Sequence, residues 1–177
     1  MIAVLVVAAP SSHAQTVRDV ADILARGLEA EHRQDGRALL EQALALNAFG
    51  AHPDGGDDLA KAWLREAAAL GVKPDDSQVW RGRTLGPAYK SGRVDARSHF
   101  TTRQSFNAGQ TADIAVVTSD GRALGLTVLD DGRHEVCALA PSTSDLGCTW
   151  VPSFTSNSEI TLDNESDEPV SFYLILN

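Results

Sequence analysis

The sequence is poor in positive charge. It contains 15 lysines and arginines against 24 aspartates and glutamates, which gives a formal net charge of -9. An acidic chain with no cluster of basic and aromatic residues repels the phosphates of nucleic acids and the anionic head groups of membranes. We therefore expect neither nucleic acid nor a membrane surface as a partner, and expect a protein or a glycan instead.

No apolar run is long enough to cross a bilayer, which takes about 20 residues. The apolar segment Ile2 to Ala9 is followed by Ser12-His13-Ala14, which has small residues at the two positions that a signal peptidase recognises. We predict a signal peptide over residues 1–14, a mature chain beginning at Gln15, and a periplasmic or secreted location. The alternative is a buried first strand, because the segment is rich in β-branched residues.

Cysteine is scarce, with only Cys137 and Cys148 in the chain. A structural zinc site needs about four ligands at short spacings, and His134 is the one other ligand type close by. Two cysteines in an exported protein most often pair, so we predict a Cys137–Cys148 disulfide. The alternatives are a buried pair of free thiols, or metal or catalytic use.

The common catalytic motifs are missing too. The chain has no H-E-x-x-H, no G-x-S-x-G and no G-x-x-x-x-G-K followed by serine or threonine. Histidines at 32, 52, 99 and 134 do not lie three or four residues apart. We predict no catalytic residue and no cofactor. The alternative is a small periplasmic hydrolase whose site lies between the two halves of the chain and uses His99 or His134 with a carboxylate.

The first half of the chain has the periodicity of amphipathic helices. Apolar residues recur at steps of three and four from Val17 to Leu28 and again from Leu39 to Leu46. A third helix is expected between a cap at Asp57 or Asp58 and a stop at Gly71. We predict a helical segment over residues 15–72, arranged as a helical hairpin or three helices.

The third helix carries a spacing of small and aromatic residues, A-x-x-W-x-x-x-A-A-x-x-G from Ala60 to Gly71. Residues 38–71 resemble a single Sel-type repeat, a relative of the tetratricopeptide repeat, in which alanines let two helices approach closely. The resemblance makes Trp63 a candidate binding residue of a helical adaptor that docks a partner helix. The alternative is an ordinary alanine-rich amphipathic helix.

Beyond a predicted linker at residues 73–88, where glycine, proline and charge accumulate, the period changes to two. Seven or eight short segments rich in Val, Ile, Thr, Phe and Tyr follow, ending with "CTWVPSF", "SEITLDN" and "PVSFYLILN". Turn sequences such as "NAGQ" and "DDGR" separate them. This spacing predicts an antiparallel sandwich or barrel, and hence an α+β protein.

Several packing and turn motifs of this half occur in a recognisable order. They are Tyr89, Ser91 and Gly92; Gly109 and Gln110; Leu124, Leu126 and Val128; and Ile160, Leu162, Asn164, Tyr173 and Leu174. About residues 86–177 thereby resemble the bacterial pre-peptidase C-terminal (PPC) domain. The resemblance implies a jelly-roll-like, non-catalytic module of exported proteins over residues 89–177. Such modules often accompany peptidases, but the helical half carries no protease signature.

Carboxylates near the ends of the predicted strands form a candidate metal site. Asp130, Asp131 and Asp145 offer the hard oxygen ligands that calcium prefers. The alternative is that Asp-Gly simply forms a hairpin turn. With calcium as the one candidate cofactor and no catalytic motif, the sequence predicts a non-enzymatic, exported binding or assembly module.

Overall fold

A computed structural model describes residues 12–73, 85–131, 133–144 and 146–177. Within them the chain forms three helices and nine strands, so the predicted α+β class is confirmed. The helices are α1 (Ser12–His32), α2 (Gly36–Phe49) and α3 (Leu59–Ala69). The strands are β1 (His52–Pro53), β2 (Ala88–Val94), β3 (Ser98–Phe106), β4 (Ala112–Thr118), β5 (Leu124–Asp130), β6 (His134–Ser142), β7 (Leu146–Trp150), β8 (Ser156–Asn164) and β9 (Val170–Leu176).

Side-chain caps and a left-handed glycine set the bounds of the helices. Asp35 precedes α2 and accepts hydrogen bonds from the backbone N–H groups of Arg37 and Ala38, each at 3.1 Å. Asp58 does the same for α3 by accepting from the N–H of Lys61 at 3.1 Å. These bonds satisfy N–H groups that the first turn of a helix leaves free. Gly50, at φ 67°, ends α2 in the conformation that glycine adopts at lowest cost.

Eight of the strands form the two sheets of a jelly roll. The strands pair as if the chain were folded back on itself as one long hairpin. β2 pairs with β9, β3 with β8, β4 with β7 and β5 with β6. The additional pairs β4–β9 and β5–β8 join these ribbons into sheet A, ordered β1-β2-β9-β4-β7, and sheet B, ordered β3-β8-β5-β6. The predicted sandwich is therefore confirmed, with two interleaved sheets as in jelly rolls.

Inward-facing side chains of the strands fill the space between the two sheets. Leu126, Ile160, Leu162 and Leu174 are fully buried there, and the ring of Phe106 packs edge-on against Trp150 with centroids 4.8 Å apart. The strand predicted over "CTWVPSF" is too long, because β7 ends at Trp150 and the residues after it form a loop. Pro152, two residues later, has no backbone N–H to donate to a neighbouring strand, which explains why β7 ends before it.

The helices cover the outer face of sheet A rather than standing apart from it. Helix α1 packs across β4 and β9, and the outward side chains Tyr89, Ala115 and Ile175 belong to the same buried cluster as the helical core. Strand β1 pairs in parallel with β2 although it lies inside the predicted helical segment. Residues 74–84 of the predicted linker lie outside the described residues. The helical half and the sandwich thus share a core.

Asn164 closes the end of the sandwich where the β8–β9 and β2–β3 loops meet. It is 2% exposed. Its amide donates to the carbonyl oxygens of Asp95 at 3.1 Å and Glu168 at 2.8 Å, and its Oδ1 accepts from the N–H of Ser166 at 3.0 Å. Ion pairs Arg97–Asp167 and Arg122–Glu168 lie at the same end. We refer to it as the charged end.

Candidate functional site

A groove of about 680 Å³ lies between α1 and the outer face of sheet A; we name it the α1 groove. Helix α1 makes its sheet contacts with β4 and β9, and β7 forms the edge of the sheet beside β4. Small and aliphatic residues form its walls and floor. They are Ala21, Ala25 and Leu28 of α1, Ala115 and Val117 of β4, and Gly147 of β7.

Charged side chains from α1 and the β4–β5 turn surround the α1 groove. They are Arg18, Asp22, Glu29, His32 and Asp120. Glu29 is paired with Arg33 at 2.5 Å and Asp120 with Arg122 at 3.5 Å, whereas Asp22 makes no ion pair with any described residue. Asp22 is exposed on α1, so its carboxylate is available to a bound molecule.

Asp113, next to this groove on β4, is a buried acid that no sequence motif indicated. It is 1% exposed. Its Oδ1 accepts a hydrogen bond from Thr149 Oγ1 at 2.6 Å, and its Oδ2 has no hydrogen-bond partner among the residues that the structure describes. Burial raises the pKa of Asp113 above its ordinary value of 3.8, while the bond from Thr149 and the charge of Arg18 act in the opposite direction.

The raised pKa of Asp113 predicts a pH dependence of stability. The native state holds this proton more tightly than the unfolded chain does, so the stabilisation is complete below the unfolded pKa and disappears as pH rises through the native pKa. Asp113→Asn removes the buried charge, and we expect its unfolding free energy to rise relative to wild type as pH increases from 4 to 8. Urea titrations across that range measure the difference. Parallel curves for the two proteins would contradict the assignment.

The opposite end of the sandwich carries an exposed apolar loop, residues 151–155, which we name the apolar tip. Phe154 is 79% exposed and Val151 is 58% exposed. The neighbouring β3–β4 turn holds the loop in place, because the Gly109 N–H donates to the Pro152 carbonyl at 2.9 Å and the Ala108 N–H donates to Thr155 Oγ1 at 3.0 Å. The apolar tip is thus anchored at both ends while its two large side chains face solvent.

The two cysteines approach each other across the sandwich. Cys137 lies on β6 of sheet B and Cys148 on β7 of sheet A, and both are free thiols in the structure. Burial raises the pKa of the Cys148 thiol, and the neighbouring Cys137 thiol acts in the same direction. The two strands belong to opposite sheets and come together along one side of the sandwich. The disulfide stays a prediction.

The histidines named for the hydrolase alternative are both exposed. His99 on β3 stands opposite Asp163 of β8, and His134 on β6 stands opposite Asp130 of β5. Neither imidazole makes a hydrogen bond or an ion pair with a residue of the described ranges. The geometry that a nucleophile and its base require is therefore not formed around either histidine.

The structure describes two of the three calcium candidates. Asp130 Oδ1 accepts hydrogen bonds from Ser156 at 2.8 Å and Ser158 at 3.1 Å. Asp131, at φ 51°, is an exposed turn residue, and Asp145 lies outside the described residues. Where the structure describes the chain, no three His, Cys, Asp or Glu side chains form a group that could hold a metal ion. Calcium binding stays a prediction.

Trp63 is a packing residue in the structure. It is 1% exposed, its ring occupies the space left by the missing side chain of Gly27 on α1, and its indole N–H donates to Glu31 Oε2 at 3.2 Å. Trp63 itself links α3 to α1 through these contacts. Its role in binding a partner helix stays a prediction.

No family model and no curated protein matches the chain. Among solved structures it resembles the periplasmic inhibitor of g-type lysozyme PliG from Aeromonas hydrophila, with 15% identity and a TM-score of 0.42 over 51% of this chain and 84% of that chain. It also resembles the Yersinia pseudotuberculosis-derived mitogen, with 12% identity and a TM-score of 0.42 over 52% and 85%. A de novo designed double-stranded β-helix gives 16% identity and a TM-score of 0.32 over 50% and 97%.

The comparisons limit what the family resemblance supports. The C-terminal half is a β-sandwich, but membership of the PPC family and of the Sel-type repeats stays a prediction, because no family model matches. The three solved structures are too distant to inform the function of this chain. Among the described residues, no helix has the length and apolar character of a membrane span.

Proposed function

We propose that this protein is a non-enzymatic binding module that acts on a protein partner in the periplasm or outside the cell. The supporting observation is the apolar tip, where Phe154 and Val151 are exposed on an anchored loop. Exposed aromatic side chains with few charges around them are typical of the centres of protein interfaces.

The surroundings of the apolar tip fit this role. The loop itself and the adjoining turn at residues 107–111 carry no charged side chain, whereas the charged end of the sandwich holds several ion pairs. On another side the rim is charged, because Asp130 accepts a hydrogen bond from Ser156 directly after the loop. An apolar centre with a polar border is typical of protein interfaces. Hydrogen bonds from the β3–β4 turn already order the loop. Binding a partner would therefore cost less conformational entropy than it would with a mobile loop.

Phe154→Ala is expected to weaken partner binding by about 30-fold, the effect of losing an interface residue that contributes about 2 kcal/mol. The thermal stability should stay close to wild type, because an exposed side chain contributes little to folding. Titration of the isolated partner against both proteins measures the change. Equal affinities would contradict the proposal.

Site-specific crosslinking identifies the partner and tests the surface at the same time. A photoreactive phenylalanine analogue at Phe154 should give one discrete product with a periplasmic extract, and excess wild-type protein should compete it away. The same analogue at Glu165, an exposed loop residue at the charged end, is the matched control. Two results would contradict the proposed surface. One is identical products from both positions, and the other is a Phe154→Ser protein that competes as well as the wild-type protein does.

A further inference from the structure

The apolar tip connects the two sheets of the sandwich. It begins after Trp150 of β7 in sheet A and ends before Ser156 of β8 in sheet B. The β3–β4 turn, residues 107–111, connects the same two sheets and is hydrogen-bonded to the tip at the Pro152 carbonyl and Thr155 Oγ1. The conformation of the tip therefore depends on how the end of β7 is placed relative to sheet B.

Side-chain packing sets the distance between β7 and sheet B in the reduced protein. Among the described strands, β7 forms backbone hydrogen bonds with β4 alone, which belongs to the same sheet. Its contacts with sheet B are made by side chains, such as the edge-on packing of Trp150 against Phe106 of β3. Apolar packing is non-directional, so it fixes the end of β7 less strictly than a covalent bond to sheet B would.

The two cysteines lie where such a bond would fix the end of β7. Cys148 is two residues before Trp150, which is about 7 Å along an extended strand. Cys137 is on β6 of sheet B, and its side chain packs against the sandwich core in which Cys148 is buried. The Cys137 thiol also contributes to the raised pKa of Cys148, in agreement with their proximity. A disulfide would thus join β7 to sheet B close to the start of the apolar tip.

We propose that this cysteine pair is a redox control of the apolar tip, in which the disulfide keeps the tip ordered for binding and reduction loosens it. Oxidation forms one S–S bond between Cys137 and Cys148, and their two hydrogens pass to a small-molecule disulfide, which is reduced to two thiols. A loop that is ordered beforehand loses less conformational entropy on binding. The inference rests on the proposed function, because it assigns a control to the surface proposed there for a protein partner.

Amide relaxation of the full-length protein tests the effect on the tip without a partner. Order parameters at residues 153–155 should be about 0.85 in the oxidised protein and below about 0.6 after reduction with dithiothreitol. Cys137→Ser cannot form the bond, so its values should match those of the reduced protein with or without glutathione disulfide. Amides of the charged end, residues 165–167, are the internal control and should be the same in all samples. Equal order at the tip in the oxidised and reduced proteins would overturn the proposal.

Crosslinking relates the order of the tip to binding. With the photoreactive analogue at Phe154, Cys137→Ser should give about fivefold less product with a periplasmic extract than the oxidised chain with both cysteines, at equal low concentration. No reductant is added, so that disulfides of the partner stay intact. Equal yields from the two chains would overturn the redox control and leave the proposed surface standing. The absence of a product from either chain would contradict the proposed function itself, and the redox control with it.

Discussion

Trp63→Ala is expected to lower the free energy of unfolding by about 3–5 kcal/mol, the cost typical of truncating a buried aromatic side chain. The ring is 1% exposed and fills the contact between α3 and α1 at Gly27. Alanine would leave a cavity there, because the ring fills the space beside Gly27. Urea denaturation measures the loss, which is a large share of the stability of an ordinary domain.

The consequence should extend to the sandwich. Tyr89 of β2 belongs to the same buried cluster as Trp63, and its hydroxyl oxygen accepts a hydrogen bond from the Leu59 N–H at the start of α3, at 2.9 Å. Burial raises the pKa of Tyr89 to about 12, although the Leu59 N–H acts in the opposite direction, so the hydroxyl is uncharged at neutral pH. We therefore expect one cooperative transition for the helices and the strands.

Hydrogen exchange tests the cooperativity directly, since it separates amides of the helices from amides of the sandwich. In Trp63→Ala both sets should lose protection by the same free energy. Phe154→Ala removes an aromatic ring from an exposed position and serves as the control, with an expected change within about 0.5 kcal/mol. Full protection of the sandwich amides in Trp63→Ala would show that the helical layer unfolds on its own.

The sequence predicted the elements well and their mutual placement less well. Period-two alternation located the strands from β3 to β9, since strands such as β7 and β8 bury every second side chain in one core. It gave no sign that α1 lies on sheet A. A clue was present, because β4 and β9 ("ADIAVVT" and "VSFYLIL") are apolar on both faces, as strands covered on both sides are. Strand β1 was missed, since a two-residue strand has no period.

The candidate surfaces depend on contacts between distant residues. The α1 groove arises from where α1 ends up relative to the edge of sheet A, and no local pattern encodes that position. The apolar tip had a local signal, because Pro152 interrupts "CTWVPSF" and a proline excludes a regular interior strand. With the strand ended at Trp150, Phe154 falls in a loop, where a large aromatic has no core to enter.

Oxidation of Cys137 and Cys148 to a disulfide is expected to stabilise the fold by about 3 kcal/mol, the value that the chain-entropy model gives for a loop of about a dozen residues. The bond would join the edge strands β6 and β7, which belong to different sheets and are not hydrogen-bonded to each other. It would therefore restrain the side of the sandwich where β6 and β7 are not joined by backbone hydrogen bonds.

The two thiols differ in how they should react. Cys137 is half-buried and Cys148 buried, and burial raises the pKa of Cys148. With glutathione disulfide as the oxidant, Cys137 should form the mixed disulfide first and release one glutathione thiol. The Cys148 thiolate then displaces the second, so that the protein loses two hydrogens and the oxidant is reduced to two thiols. Because Cys148 is a weak acid, this second step should accelerate as pH rises.

Mass spectrometry and thermal unfolding together test the disulfide. The oxidised protein should be lighter by two hydrogens and should melt at a higher temperature than the same protein kept reduced. Cys137→Ser/Cys148→Ser should show no response to oxidant, and Cys148→Ser alone should stop at the mixed disulfide on Cys137. A protein purified from the periplasm with both thiols free, or an oxidised form no more stable than the reduced one, would contradict the predicted staple.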